Sequence, residues 1–288
     1  SYLGRTRRAE GHHHRQAGRG AQGDGPTCSR GDAEIVRQAS LARCLGVGQE
    51  ELVIRRTGDG ESRLYRTMTP AFVLHRRPYQ NTSLLLECFV AGCGRLPLVA
   101  KGAARSKLKA ELQPFQPLAI DWRGRGEVRT LTAAETTDKP LALHGKRLYC
   151  GLYLNELLAR LLPREERHDG LLEAYWKSLV TLVHVEDIDW QLRLFELRLL
   201  DELGYGLQLS STTNGEAISS ERRYLYTPDA GFSPADPGNS GVSGATLHAL
   251  HSGAWNARME RLEARDLMRS VLDHHLGHRP IRSRELFH

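Results

Sequence analysis

The feature that most constrains this chain is a change in hydrophobic period partway along it. From Ala71 to about Thr132 the apolar residues come in short runs of β-branched, aliphatic and aromatic side chains, and beyond Lys139 they recur every three or four positions. The first region reads as strands at Ala71–Leu74, Ser83–Val90, Arg95–Lys101, Pro117–Trp122 and Glu127–Thr132. Arg77-Pro78, Gly92-Cys93-Gly94, Gly102 and Gly124-Arg125-Gly126 separate them and supply turns or positive-φ positions. Five strands in about 65 residues with almost no helix imply a small closed barrel. Closure removes the sheet edges and buries one face of every strand.

The second region reads as helices. Leu148, Leu152, Asn155, Leu158 and Leu162 share one stripe, which Pro163 ends. Leu171, Ala174, Tyr175, Leu179 and Leu182 mark a second helix over about 170–184. Leu192, Phe195, Leu199 and Leu203 mark a third over about 188–203, with Gly204 as its C-terminal cap. Residues 205–241 are rich in Ser, Thr, Asn, Gly and Pro and read as an irregular insert, with a hairpin near Tyr224–Tyr226. Short helices follow at about 244–250 and 256–276. The fold class expected is α+β: a five-stranded barrel in residues 68–137, then an all-helical domain in 138–288 that carries the insert.

Residues 1–67 are expected to form a poorly ordered basic extension. Up to about residue 33 they are dominated by Gly, Arg, His and Gln, with too little apolar surface to offset the entropy of ordering. A short helix is the one element anticipated there, over about 33–45. His12, His13 and His14 are read as solvated rather than metal-binding, since no second ligand cluster accompanies them.

Charge points to an anionic partner. Residues 1–67 carry 12 basic and 8 acidic side chains, residues 68–136 carry 10 and 5, and residues 137–288 carry 18 and 21, giving +4, +5 and −3. The five cysteines, Cys28, Cys44, Cys88, Cys93 and Cys150, are odd in number and irregularly spaced. They indicate neither a disulfide framework nor a paired zinc site, and a reducing cytoplasm fits them best. No apolar run approaches the length of a bilayer span, and no secretory signal is apparent.

The motifs of the two regions resemble, in order, those of the RecO family. Ala71-Phe-Val-Leu-His-Arg-Arg-Pro-Tyr followed by Thr82-Ser-Leu-Leu is similar to its opening strand and turn. Gly94-Arg-Leu-Pro-Leu-Val-Ala-Lys-Gly-Ala, Leu112-Gln-Pro-Phe-Gln-Pro-Leu and Gly124-Arg-Gly-Glu-Val-Arg-Thr-Leu resemble the rest of its barrel. Gly151-Leu-Tyr-Leu-Asn-Glu-Leu-Leu and Arg193-Leu-Phe-Glu-Leu-Arg-Leu-Leu-Asp-Glu-Leu-Gly-Tyr-Gly resemble its helical core, and Arg279-Pro-Ile-Arg-Ser-Arg-Glu-Leu-Phe its C-terminal signature. The likeness runs from about Met68 to Phe287. It implies an oligonucleotide-binding (OB) barrel, a non-enzymatic role as recombination mediator in DNA repair, and no cofactor. The partners it implies are single- and double-stranded DNA, the acidic tail of the single-stranded DNA-binding protein, RecR, and RecA indirectly. It also implies a cytoplasmic, nucleoid-associated protein without membrane contact.

Two departures stand out. Some family members carry four zinc cysteines in the helical domain, whereas residues 205–241 contain none. The likeness begins at Met68, so residues 1–67 are expected to be an upstream extension of the reading frame.

The residues themselves are suited to the work. Arg76, Arg77, Arg95, Lys101, Arg105, Lys107, Lys109, Arg123, Arg125 and Arg129 are expected in or beside loops and strand ends, where flexible cations track phosphates. Lys101–Lys109 is the densest cluster, four cations without an acid. Tyr79 and Trp122 are the expected stacking surfaces, and Phe89 and Phe115 are expected in the core. For the acidic tail, Arg160, Arg193 and Arg198 are expected to rim an apolar groove on the helices. Two other classes stay open. A hydrolase would need Glu186, Asp187 and Asp189, which read more simply as charge at a helix N-terminus. An RNA-binding barrel would share the same cations.

Overall fold

The structure, a computed structural model, describes residues 68–236, 241–254, 258–277 and 279–287. Every expectation placed on residues 1–67 lies outside them. Strands β1 (Thr69–Tyr79), β2 (Ser83–Val90), β3 (Gly94–Ala100), β4 (Leu118–Arg123) and β5 (Arg129–Thr136) close in the order β1-β2-β3-β5-β4. Only the β3–β5 pair is parallel. This is the expected five-stranded barrel of OB type. Ala71, Val73, Leu84, Leu86, Cys88, Val90, Leu96, Leu98, Leu118, Ile120 and Leu131 fill its interior.

Strand β1 is longer than its sequence suggests. Arg77-Pro78 is not a turn: Arg77 pairs with Leu85 and Pro78 with Leu84 inside the ladder, and the chain reverses at residues 80–82. Proline is tolerated because β1 pairs with β4 only through Thr69–Ala71, which leaves its far half with one neighbour. The segment after β3 is also more ordered than a basic loop. It forms a 3-10 turn at Ala103–Arg105 and a one-turn helix α1 (Leu108–Glu111), fixed because Ala103 and Leu112 are buried in the barrel core.

Helices α2 (Lys146–Leu161), α3 (Asp169–His184), α4 (Ile188–Glu202), α5 (Gly244–Ser252) and α6 (Arg258–Leu276) follow. Their limits lie close to those set by periodicity, and Gly204 has the positive φ of 81° that a C-terminal cap requires. The burial of α2 is wider than one stripe. Cys150, Tyr153, Leu154, Leu157 and Leu158 are all buried, while Leu148 and Leu152 lie half-exposed at the margin. The cause is that α2 contacts β1 as well as α3 and α4. Among the described residues no helix is long and apolar enough to cross a membrane.

Residues 205–236 and 241–243 form more than an irregular insert. They build a sheet in the order β7-β6-β8 from β6 (Arg223–Thr227), β7 (Gly231–Pro234) and β8 (Val242–Ser243), with the anticipated hairpin at Tyr224–Tyr226. Leu209, Ile218, Tyr224, Phe232 and Val242 join the helical core, and the Tyr224 hydroxyl accepts a hydrogen bond from the Ser219 N–H at 2.7 Å. Polar neighbours hide this apolar set in the sequence.

One core unites barrel and helices. Phe72, Leu74, Phe89 and Ala91, on the outer side of β1 and β2, pack among the helical residues. The ring of Phe72 stacks on Trp176 at 5.5 Å and meets Tyr175 edge-on at 5.3 Å. Both faces of this half of the sheet are therefore buried, which explains the unbroken apolar run at Ala71-Phe-Val-Leu. A bulge in β1 between Val73 and His75 leaves Leu74 without a partner on β2. Its carbonyl accepts instead from the Asn155 side chain of α2 at 2.9 Å, and Asn155 in turn accepts from the Tyr175 hydroxyl at 2.6 Å. The β2–β3 hairpin is gripped as closely. A Cβ on Gly94, at φ 68°, would lie 1.6 Å from the Glu166 carbonyl oxygen, so only glycine fits there.

Candidate nucleic-acid interface

The register of the barrel sorts the cations by face. Side chains of cross-strand partners point the same way, and the direction alternates along each strand. Leu84 and Leu86 point inward, so Leu85, its β3 partner Val99 and its β1 partner Arg77 share the outward face, together with Tyr79 beside Ser83. Arg76, paired with Leu86, turns the other way. Its guanidinium donates to the Lys109 carbonyl at 2.7 Å and the Leu112 carbonyl at 3.2 Å, tying α1 to β1. Two adjacent arginines thus have opposite fates: Arg77 is exposed and Arg76 holds the platform.

Lys101 follows directly on the Leu84–Ala100 pair, and the Ala104 N–H donates to the Thr82 carbonyl at 3.0 Å. The Lys101–Lys109 segment therefore lies against the β1–β2 turn, next to Tyr79. Lys101, Arg105, Lys107 and Lys109 are exposed, as are Arg77 and Tyr79, the latter at 40%. This end of the barrel presents five exposed cations, and Arg77 and Tyr79 share the outward face with the half-buried Leu85 and Val99.

The remaining candidates lie elsewhere. Arg123 and Arg125 are exposed at the β4–β5 turn. Beyond that turn Arg129 sits beside Leu98 of β3, is 8% exposed, and is paired with Glu165. Arg95 is half-buried and donates to the Leu162 carbonyl at 2.8 Å and to Glu87 at 3.3 Å, so it fastens the hairpin to the end of α2. Trp122, expected to be exposed, is half-buried against the barrel core. Phe89 and Phe115 are buried as expected, at 0% and 6%. Of the twelve barrel positions singled out in the sequence, the structure exposes Arg77, Tyr79, Lys101, Arg105, Lys107 and Lys109 at one end of the barrel and Arg123 and Arg125 at the β4–β5 turn, engages Arg76, Arg95 and Arg129 within the fold, and packs Trp122 against the barrel core.

A second cationic feature lies on the helices. A cleft of about 620 Å³ is lined by Lys146, Tyr149, Tyr153, Asp189, Leu192, Arg193, Arg265, Arg269, Arg284 and Leu286. Among the described lining residues five are cations and one is a carboxylate; Lys146 pairs with Asp189, Arg193 with Glu196, Arg265 with Asp266 and Arg284 with Asp273. Burial and then the charges of Arg265, Arg284 and Arg193 hold the Arg269 guanidinium below the ordinary arginine pKa. Arg193 is 6% exposed and pairs with Glu196, which also accepts from the Tyr153 hydroxyl at 2.7 Å. Arg198 is outside the cleft, bound to Glu202 at 3.0 Å. Arg160 is outside it too, donating to the Pro280 carbonyl at 2.8 Å and to that of Arg279. Sequence reasoning missed Arg265, Arg269 and Arg284. The i,i+4 spacing of the first two on α6 was the one available signal.

The acidic group at the start of α4 is engaged structurally. Asp187 caps the helix by accepting from the Trp190 N–H at 3.1 Å and pairs with Arg261 at 3.0 Å, and Asp189 pairs with Lys146 at 3.1 Å.

Comparison with known proteins agrees with this geometry. Residues 65–140 match the profile of the Recombination protein O N terminal domain and residues 143–285 that of the Recombination protein O C terminal domain, so the division falls between barrel and helices. The chain is 47% identical over 220 residues to the DNA repair protein RecO of Methylococcus capsulatus, covering 75% of this chain and 91% of that protein. It is 43% identical over 223 residues to the DNA repair protein RecO of Halorhodospira halophila, covering 76% and 95%. With barrel, helical core and both profiles in register along the same residues, the chain belongs to the RecO family.

Proposed function

We propose that this protein is a non-catalytic DNA-binding recombination mediator in DNA repair. It anneals complementary strands and, with RecR, helps load RecA onto DNA coated with single-stranded DNA-binding protein. The observation that carries the reading is the exposed end of the barrel, where Arg77 and Tyr79 on β1 and Lys101, Arg105, Lys107 and Lys109 on the segment tied to β1 and to the β1–β2 turn are all exposed. Cations at that density bind sugar-phosphate chains of any sequence, and a base stacked on an exposed ring adds about 1 to 3 kcal/mol. The names of the relatives, DNA repair proteins, support the same reading.

The helical cleft suits the acidic, apolar tail of the single-stranded DNA-binding protein. Arg265, Arg269 and Arg284 are placed to take its carboxylates, and Tyr149, Leu192 and Leu286 to take an apolar side chain. Gripping DNA at the barrel and the coating protein at the helices would raise the effective concentration of a second strand without ATP.

The test is annealing of complementary strands, each coated with single-stranded DNA-binding protein, with and without the protein. Acceleration is expected. A protein that leaves the coated strands apart, or prefers structured RNA in competition, belongs to the RNA-binding alternative. A hydrolase is disfavoured because Asp187 and Asp189 are both held in ion pairs.

A further inference from the structure

The cleft has a wall that is not part of the helices. After α6 the chain turns back across α2 and forms a 3-10 segment at Arg282–Phe287. Two of its side chains, Arg284 and Leu286, line the cleft. The segment is too short to hold a position by its own hydrogen bonds, so its place must be set by what it touches.

Those contacts converge on two side chains of α2. Glu156 accepts from the backbone N–H of Arg282 at 2.9 Å through one carboxylate oxygen and from that of Ser283 at 2.8 Å through the other. Arg160, one turn further on and 3.5 Å from Glu156, donates to the carbonyls of Arg279 and Pro280. Between these anchors Ile281 is driven into the helical core at 2% exposure. The result is delivered beyond the anchor: Arg284 donates to Asp273 at 2.6 Å and lies 6.0 Å above the ring of Tyr153, a residue of the cleft.

We infer that Glu156, with Arg160, is a positioning residue for the anion cleft: it fixes the C-terminal 3-10 segment as a strap that supplies Arg284 and Leu286 to an acidic peptide ending in a free carboxylate. The inference rests on the reading of the cleft as the site for such a tail. It assigns a role to residues that do not touch the cleft. It also accounts for Arg160, whose guanidinium is engaged by main-chain carbonyls and acts on a partner only through the strap.

The full chain tests this with a synthetic peptide of aspartates ending in an apolar residue with a free carboxylate. Glu156→Ala frees two backbone donors and is expected to weaken the peptide by about tenfold, a change readily resolved as a dissociation constant. Glu156→Gln keeps the shape and one acceptor and is expected to lose less. Binding of single-stranded DNA at the barrel is expected to stay at the level of the parent, which separates a misplaced strap from a misfolded chain. Because Glu156 acts through Arg284 and Leu286, the triple variant Glu156→Ala/Arg284→Ala/Leu286→Ala should be no weaker than Arg284→Ala/Leu286→Ala. Additive losses, or an unchanged affinity in Glu156→Ala when Arg269→Ala is weakened, overturn the strap while leaving the cleft. An unchanged affinity in Arg269→Ala removes the cleft as the peptide's site and the strap's role with it.

Discussion

Neutralising the barrel platform gives a result that can be calculated beforehand. In the triple variant Arg105→Gln/Lys107→Gln/Lys109→Gln three exposed cations disappear. The surrounding fold should not respond. Ala103 and Leu112 stay buried in the barrel, and the hydrogen bonds from Arg76 go to the main-chain carbonyls of Lys109 and Leu112, which substitution does not touch. Each phosphate contact on a single strand contributes about 0.7 to the slope of log K against log salt, so three contacts contribute about 2. Between about 50 and 200 mM salt the parent should therefore lose about 20-fold more affinity than the variant. Fluorescence anisotropy of a labelled oligothymidine across that range measures the slope, and thermal melting checks the fold. A variant that folds normally and keeps the parent's slope shows that DNA does not contact this platform, and the proposed interface fails with it.

Three further outcomes concern stability. Burial alone would raise the Glu263 pKa, but hydrogen bonds from the Ser243 hydroxyl and N–H, the Thr246 hydroxyl and Arg223 outweigh it and hold the carboxyl at about 2. A folded pKa below the ordinary 4.5 means that this stability is complete above about pH 5 and is lost as pH falls toward 2. Glu263→Gln should cost about 1.5 kcal/mol in urea unfolding at pH 7 and almost nothing near pH 2, and an equal cost at both would contradict the assignment. Asn155→Leu leaves the Leu74 carbonyl and the Tyr175 hydroxyl without their partner. It should cost about 2 to 4 kcal/mol in the same measurement, and a loss below about 0.5 kcal/mol would mean that the tie between barrel and helices carries no energy. Gly94→Ala places a Cβ on the Glu166 carbonyl and should lower the melting temperature sharply. Full retention of stability would show that the chain between α2 and α3 does not grip the hairpin as described.

The barrel and the helices were legible because their signals are local. Ser83–Val90 is a short apolar run bounded by turn residues, as a strand covered on both faces must be, and Leu192, Phe195 and Leu199 recur as a buried helical face must. Where the reading slipped, a distant partner was responsible. Arg77-Pro78 has the composition of a turn, and only pairing with Leu84 and Leu85 makes it strand. Residues 101–112 look like a basic loop, and only the space at the barrel floor gives Ala103 and Leu112 somewhere to be buried. The insert is polar in composition, and only the helical core reveals Tyr224 and Phe232 as its contribution.

By itself the sequence determined the two-part architecture and the half of the chain that carries surplus positive charge, since both follow from composition and from the period of neighbouring residues. Which cations are free was decided by tertiary structure. Arg76, Arg95, Arg129 and Arg160 resemble Arg77 and Arg123 as letters, yet the fold places carbonyls or carboxylates against the first four. The helical region is net acidic as a stretch of sequence, but folding gathers Lys146, Arg193, Arg265, Arg269 and Arg284 around one cleft. Electrostatic potential depends on distance in space, and residues more than a hundred positions apart acquire a common field only when the chain packs.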